Sequence, residues 1–376
     1  MSYQIPSDKL KNFLSVLESG SRPLGGVARI REGIHSLGGE HIGYDGSVDL
    51  NSMKYVPENF YTRSTTGHIL KEDILICKDG AQTGKVAFVN DDFPYSRAMV
   101  NEHLYILRAN DKILQKYIFY FLFSYLGQAL LKVSVTGQAQ GGLNRPNLND
   151  IRIPIVDKSI QKETLKKILP LEIKRAEYRR LIDATEKDIV NFIKSRPGKN
   201  KGRLSKYITL EYGSALPDRD RRSGEFAVVG ANGAIGYHEK SLIPGPAIIV
   251  GRKGSVGKIN WFKDPCYPID TTFWVKINND SIDFRYCYYL LKSLELDKLN
   301  DGMGPGGLSR NVAYALTVSL PSIPEQLEII KKSDELENIE HKLISKSEEV
   351  KKQIFNFIMD DMQYTFPDII GFSNPA

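Results

Sequence analysis

The stretch Gly80-Ala81-Gln82-Thr83-Gly84-Lys85-Val86 has the residue types of a loop that wraps a nucleotide's phosphates: glycines for close backbone approach and a lysine for charge. Its spacing does not fit that chemistry. One residue too few separates the glycines, and Val86 stands where a hydroxyl must reach magnesium. The shorter Gly254-Ser255-Val256-Gly257-Lys258-Ile259 is equally unsuited, so both stretches read as strand-linking turns with a basic tip. Gly302-Met303-Gly304-Pro305-Gly306-Gly307 formally fits a dinucleotide-binding pattern, but no apolar strand precedes it and Pro305 interrupts it. The histidines (His35, His41, His68, His103, His238, His341) lack ligand spacing, and no Ser or Cys lies in a recognisable nucleophile setting. An NPPY-like motif of adenine methyltransferases and helicase motifs are also missing. With several enzyme classes absent together, the sequence favours a protein that binds over one that catalyses.

Charge points toward a polyanionic partner. The 51 Lys and Arg exceed the 45 Asp and Glu by 6, and between Arg196 and Ser223 eight basic residues face three acidic ones. That patch suits phosphate contacts and steering toward nucleic acid, although its first part, RPGKNKG, has the composition of a solvated linker. The cysteines Cys77, Cys266 and Cys287 are odd in number and lack CxxC spacing, which indicates buried reduced thiols and neither a disulfide framework nor a zinc site. The longest apolar run, Tyr117 to Leu126, is about half of what a membrane span requires and reads as a core helix. With no secretory signal in MSYQIPSDKL, the expected location is the cytoplasm.

The elements that position these residues occur twice. Gly141-Gly142-Leu143-Asn144-Arg145 matches Gly306-Gly307-Leu308-Ser309-Arg310 at an offset of 165, and the 35-residue windows from Gln161 and Gln326 share 11 identities without a gap at that offset. Upstream the offset grows, to 173 at Gly84-Lys85 and Gly257-Lys258 and to 193 at Leu17-Glu18 and Leu210-Glu211. The first copy therefore carries 193 − 165 = 28 extra residues, all before its helical segment. A constant part must satisfy one geometry, whereas a part that gains insertions behaves like recognition loops. Mixed α/β segments precede each helix, with Ile74-Leu75-Ile76-Cys77 and Ala247-Ile248-Ile249-Val250-Gly251 as buried strands ending in glycine turns.

The gap-free part reads as coiled coil. Leu336, Leu343, Val350 and Phe357 recur at steps of seven with Ile339 and Ile354 beside them, and their equivalents are Leu171, Tyr178, Thr185 and Phe192 with Leu181 and Ile189. Pro170 should break or kink the first helix. The windows carry charges of 9 − 6 = +3 and 6 − 8 = −2, which suits mutual antiparallel packing. The predicted layout is a reading domain over residues 1–158, a helix over 159–197, a second domain over 198–322 and a second helix over 323–362.

These residues resemble the specificity subunits of Type I restriction-modification systems over nearly the whole chain. The resemblance is carried by Val228-Val229-Gly230-Ala231-Asn232-Gly233-Ala234-Ile235-Gly236-Tyr237, by Gly251-Arg252-Lys253-Gly254-Ser255-Val256-Gly257, by the Gly-Gly-Leu loops running into Ile151-Arg152-Ile153-Pro154 and Val318-Ser319-Leu320-Pro321, and by Pro324-Glu325-Gln326. It implies two target-recognition domains in tandem, joined by two long antiparallel helices, each domain reading half of a split sequence on double-stranded DNA. The implied partners are DNA adenine methyltransferase subunits and a restriction and translocation subunit. S-adenosylmethionine, magnesium and ATP would belong to those partners, so no cofactor is expected here. Arg145 and Arg310, followed by Lys78, Lys85, Arg252, Lys253 and Lys258, are the candidate DNA contacts. A spacer of roughly 25 helical residues at ~1.5 Å each would span ~38 Å, near one DNA turn. Two readings stay open beside it: the specificity subunit of a Type IIB-like system, and a two-headed adaptor for proteins.

Overall fold

The computed structural model describes residues 6–27, 30–50, 53–80, 82–135, 142–299 and 307–361. The chain divides into two compact units, the first built from residues up to Ala176 together with those from Ser347 on, the second from Glu177–Lys346.

The first unit contains strands β1 (Ser7–Lys9), β2 (Leu14–Ser19), β3 (Ile34–Leu37), β4 (Lys54–Val56), β5 (Ile74–Cys77), β6 (Val86–Phe88), β7 (Ala98–Val100), β8 (Leu104–Ala109) and β9 (Arg152–Pro154). Its helices are α1 (Glu58–Arg63), α2 (Gln115–Phe123), α3 (Tyr125–Val133), α4 (Arg145–Asp150) and the first part of α5 (Lys158–Lys194). The sheet orders are β2-β8-β5-β6, β4-β3-β7 and β1-β9. The second unit contains β10 (Asn200–Arg203), β11 (Ile208–Tyr212), β12 (Phe226–Gly230), β13 (Gly233–His238), β14 (Ala247–Gly251), β15 (Ile259–Phe262), β16 (Cys266–Pro268), β17 (Thr272–Ile277) and β18 (Thr317–Leu320), with α6 (Phe284–Ser293), α7 (Arg310–Ala315) and the start of α8 (Ile323–Asp361). Its sheet orders, β11-β17-β14-β15, β13-β12-β16 and β10-β18, repeat those of the first unit strand for strand, down to a single parallel pairing in each three-stranded sheet.

The central strands are buried apolar runs: all of Ile74–Cys77 and Ala247–Gly251 is buried, as period-free Ile/Val/Leu segments with a ladder on both sides must be. The aromatic run is not one helix. Ser124 ends α2 and its hydroxyl accepts from Gly127 N at 3.2 Å, starting α3. Gly127 is required there, because a Cβ would lie 2.1 Å from the Phe121 carbonyl oxygen. Insertions in the first copy fall between strands: residues 38–53, between the paired β3 and β4, stand where the second unit has a two-residue turn, and 57–73, which include α1 and lead from β4 to β5 of another sheet, stand where it has 239–246.

Of the break or kink expected at Pro170, the break does not occur: helix α5 continues through it. Pro170 and Lys166 are both exposed, so the Lys166 carbonyl that loses its helical donor is open to water. The face turned inward follows steps of three and four: Gln161, Thr164, Ile168, Leu171, Arg175, Tyr178, Ile182, Thr185, Ile189 and Phe192 on α5, and the residues 165 further on, from Gln326 to Phe357, on α8. Leu171, Tyr178, Phe192, Leu336, Leu343 and Phe357 are half-buried, while Ile189, Val350 and Ile354 are buried. Leu181 and Ile339, expected beside this seam, face solvent; Ile182 takes the seam position next to Leu181.

Within each unit the two helices run antiparallel. In the first, Asp361 accepts a hydrogen bond from Thr164 and one from the Tyr117 hydroxyl, and Arg175 lies near Lys351. In the second, Ile189 and Ile193 share a core with Ile329 and Leu336. Equivalent glutamines seat both helices. Gln161 Oε1 accepts from Leu114 N and Gln326 Oε1 from Asp283 N, both at 2.8 Å, and each side-chain amide donates to a carbonyl ahead of its own helix, Val156 and Pro321.

The seam is polar at Glu340, where Lys292 Nζ is 3.9 Å away and Glu186 shares a hydrogen bond. Burial pushes the Glu340 carboxyl up to about 7, with Lys292 opposing and Glu186 and Glu337 adding to the rise. A carboxyl raised on folding binds a proton more tightly in the fold. Its contribution is therefore complete below the ordinary carboxylate range and is lost as pH rises through 7. Glu340→Gln should raise stability at pH 8 by about 2 kcal/mol and leave it nearly unchanged at pH 4. Chemical denaturation at the two pH values measures this, and an equal effect at both would exclude the titration.

Candidate nucleic-acid interface

The two phosphate-loop-like stretches are turns between antiparallel strands: Val86 opens β6 after β5, and Ile259 opens β15 after β14. No helix follows either turn, so neither has the strand–loop–helix setting that nucleotide phosphates need. The glycine-rich stretch from Gly302 lies outside the described residues up to Gly307.

Each turn presents its first residue to the adjoining strands in the same way. Lys78 N donates to the His103 carbonyl at 2.9 Å and its carbonyl accepts from Leu143 N at 2.6 Å; Arg252 N donates to Thr271 at 2.9 Å and its carbonyl accepts from Leu308 N at 2.8 Å. The loop that bears Leu143 or Leu308 then enters a short helix whose first residue is Arg145 or Arg310. Main-chain bonds thus bring each candidate pair together.

In the second unit the pair meets an aromatic. Tyr212 closes β11, pairs in register with Phe273 and is 48% exposed. The Arg310 guanidinium lies 4.4 Å and that of Arg252 5.2 Å from its ring centroid. Arg310 Nη1 donates to the Leu210 carbonyl at 3.2 Å, whereas the buried Nε of Arg252 has no hydrogen-bond partner among the described residues. In the first unit Ser19 occupies the place of Tyr212, opposite Tyr105. Lys78 Nζ reaches Ser19 Oγ at 3.3 Å and lies 5.3 Å from the Tyr105 centroid, and Arg145, exposed at the start of α4, acts electrostatically on Tyr105.

Lys85 and Lys258 serve the neighbouring connection instead. Lys258 Nζ donates to Asn232 Oδ1 at 2.8 Å, at the tip of the β12–β13 hairpin. Lys85 Nζ lies 2.9 Å from the Tyr44 ring centroid in the inserted connection, and burial pushes its amine down to about 8. Lys253 is exposed and bridges to Gly307. The hairpin tip abuts the basic turn: a Cβ on Gly251 would lie 2.0 Å from the Ser255 carbonyl oxygen and 3.2 Å from that of Ala231. Tyr212, Tyr105 and Asn232 were not among the residues singled out in the sequence. The signal for the first was present, since the position between Glu18 and Gly20 differs from that between Glu211 and Gly213 inside an otherwise matching segment.

The family model of the Type I restriction modification DNA specificity domain matches residues 25–178 and again 187–351. The chain belongs to this family. It is a Type I specificity subunit with two tandem specificity domains. The S subunit of the Type I system from M. genitalium is 14% identical, with 95% of this chain and 97% of that one covered and a TM-score of 0.43. The HsdS subunit from Thermoanaerobacter tengcongensis is also 14% identical, covering 96% and 98%, with a TM-score of 0.39. No curated protein matches the chain. Among the described residues, no helix of the specificity subunit is long and apolar enough to cross a membrane.

If the Arg252 guanidinium meets phosphate, Arg252→Ala in the assembled enzyme should weaken binding to all duplexes alike and make the slope of log affinity against log salt shallower by about 1. Salt titration of a fluorescent duplex checks it; an unchanged slope would remove Arg252 from the interface.

Proposed function

We propose that the specificity subunit reads a bipartite, asymmetric DNA target, one half-site per unit, with bases between the half-sites left unspecified. The observation that supports this most is the pair of cations, Arg252 and Arg310, on exposed Tyr212 of the edge strand β11, with Lys78 and Arg145 on the repeat-equivalent turn and loop of the first unit, embedded in loops that differ between the copies. The shared part suits phosphate, which is the same at every sequence, and the differing loops suit bases, which are not. The subunit directs adenine methyltransferase subunits and a restriction and translocation subunit to the site and performs no catalysis itself. S-adenosylmethionine, magnesium and ATP act on those partners.

Expressing the subunit with its methyltransferase partner and mapping the methylated adenines tests the reading. A split motif with unlike halves is expected, and a continuous or palindromic motif would rule it out. The purified subunit alone, given DNA, S-adenosylmethionine, magnesium and ATP, should yield neither methylated nor cut product.

A further inference from the structure

We infer that the β12–β13 hairpin is the segment of the second unit that enters the DNA major groove, and that Asn232 at its tip donates to an acceptor on a base edge. This rests on the reading of the second unit as a half-site reader and adds the element and the chemistry. The strands are joined by a two-residue turn, Ala231-Asn232, and Asn232 is exposed. Its amide has a fixed sense. The Lys258 ammonium, 2.8 Å from Oδ1, can only donate, which fixes Oδ1 as its acceptor and leaves Nδ2 as the donor end. An asparagine with both ends free makes a two-point pair with adenine. With one lone pair of its oxygen held by Lys258, the side chain is a weaker acceptor, and its Nδ2 donors favour guanine O6 or N7 and thymine O4 over the cytosine amino group.

The rest of the hairpin fits the same groove. β13 is an edge strand of its sheet and exposes Ile235 (45%) and Tyr237 (51%), an apolar edge that water disfavours and that thymine methyl groups and sugars could cover. Arg221 lies across that edge. Its Nη1 donates to the Ile235 carbonyl at 3.4 Å and its Nε to the Leu216 carbonyl at 3.3 Å, over Gly236, where a Cβ would come within 3.5 Å of the guanidinium. Exposed Arg219 precedes it and exposed Arg222 follows, and each of the three has a carboxylate partner: Asp220 for Arg219, Asp218 for Arg221 and Glu239 for Arg222. A two-stranded ribbon with a polar tip and an apolar edge has the size for the ~12 Å width of the major groove. The first unit replaces this tip with residues 38–53, so the two half-sites are read by different devices.

The test uses the subunit assembled with its methyltransferase partner, acting on a library of duplexes randomised over the target, with methylated adenines located by sequencing. Asn232→Asp turns the donor into an acceptor at an exposed turn, and circular dichroism confirms that the variant folds. Discrimination at one base position of one half-site should fall by about 10-fold to 100-fold while the other half-site is unchanged. Lys258→Met, which frees the Asn232 oxygen, should shift that same position toward adenine. If both variants keep the parental preference at every position, the hairpin does not read bases, although the two-reader proposal would stand. If the parental complex itself methylates a continuous or palindromic motif, the two-reader proposal falls and takes this inference with it.

Discussion

Ile189→Asp is expected to abolish cooperative folding of the second unit. Ile189 is fully buried and shares its core with Tyr286, Ile329 and Leu320. The substitution removes an aliphatic side chain worth about 2 to 5 kcal/mol and puts a carboxylate into an apolar core, which costs several kcal/mol more. The sum rivals the entire ~5 to 15 kcal/mol stability of a domain. Leu181→Asp on the same helix is the control: Leu181 is 44% exposed, so its replacement should change stability by less than about 1 kcal/mol. Leu343→Asp and Phe357→Asp, at half-buried seam positions, should fall between the two. Calorimetric scans rank the series, and equal melting temperatures for the Ile189 and Leu181 variants would disprove the seam assignment.

Arg285→Ala should destabilise the second unit by about 3 kcal/mol. Arg285 ties α6 to α8: it bonds Asp334 at 2.9 Å and Glu337, while its guanidinium lies 4.5 Å from the Trp261 centroid and 4.8 Å from that of Tyr289. Burial opposes ionisation of Glu337, but the Tyr288 hydroxyl and Arg285 hold its carboxyl below the usual range. Removing the cation strands that charge in a site closed to water. The first unit supplies the milder substitution, since Lys116 pairs with Glu172 at 2.8 Å in the equivalent place. Arg285→Lys should therefore keep the ion pair, lose the ring stacking and cost about 1 kcal/mol. Denaturant unfolding of the two variants decides, and a lysine variant as damaged as the alanine one would show that charge is not what matters here.

The repeat was legible because it survives as identities, and the matching strand orders follow from it. The apolar half of the helix seam, Leu336 through Phe357, was legible by its period. The other half was not, because Gln326, Ser333, Glu340 and Ser347 are polar, and a hydrophobic period cannot register a polar contact. That also explains the misplacement of Leu181 and Ile339, apolar residues assigned to a seam they do not reach. Pro170 does not end α5, because the cost of a proline depends on whether the orphaned carbonyl meets water, which sequence alone does not show. At the candidate interface the cations were visible as residue types. Their grouping was not, because Tyr212, Arg252 and Arg310 are brought together by main-chain bonds between segments distant in sequence.

The division of the chain into units also sets an order of events during synthesis. The second unit is a single continuous segment, Glu177–Lys346, whereas the first needs residues from Ser347 on. Phe355 packs edge-on against Phe123 and Tyr125, and Asp361 receives the Tyr117 hydroxyl, so the cover over the aromatic residues of α2 and α3 is incomplete until these helical turns leave the ribosome. The domain translated first is therefore completed last. A chain released before residue 347 would carry a complete second unit and an open first one, with its partly covered aromatic face a target for chaperones and proteases.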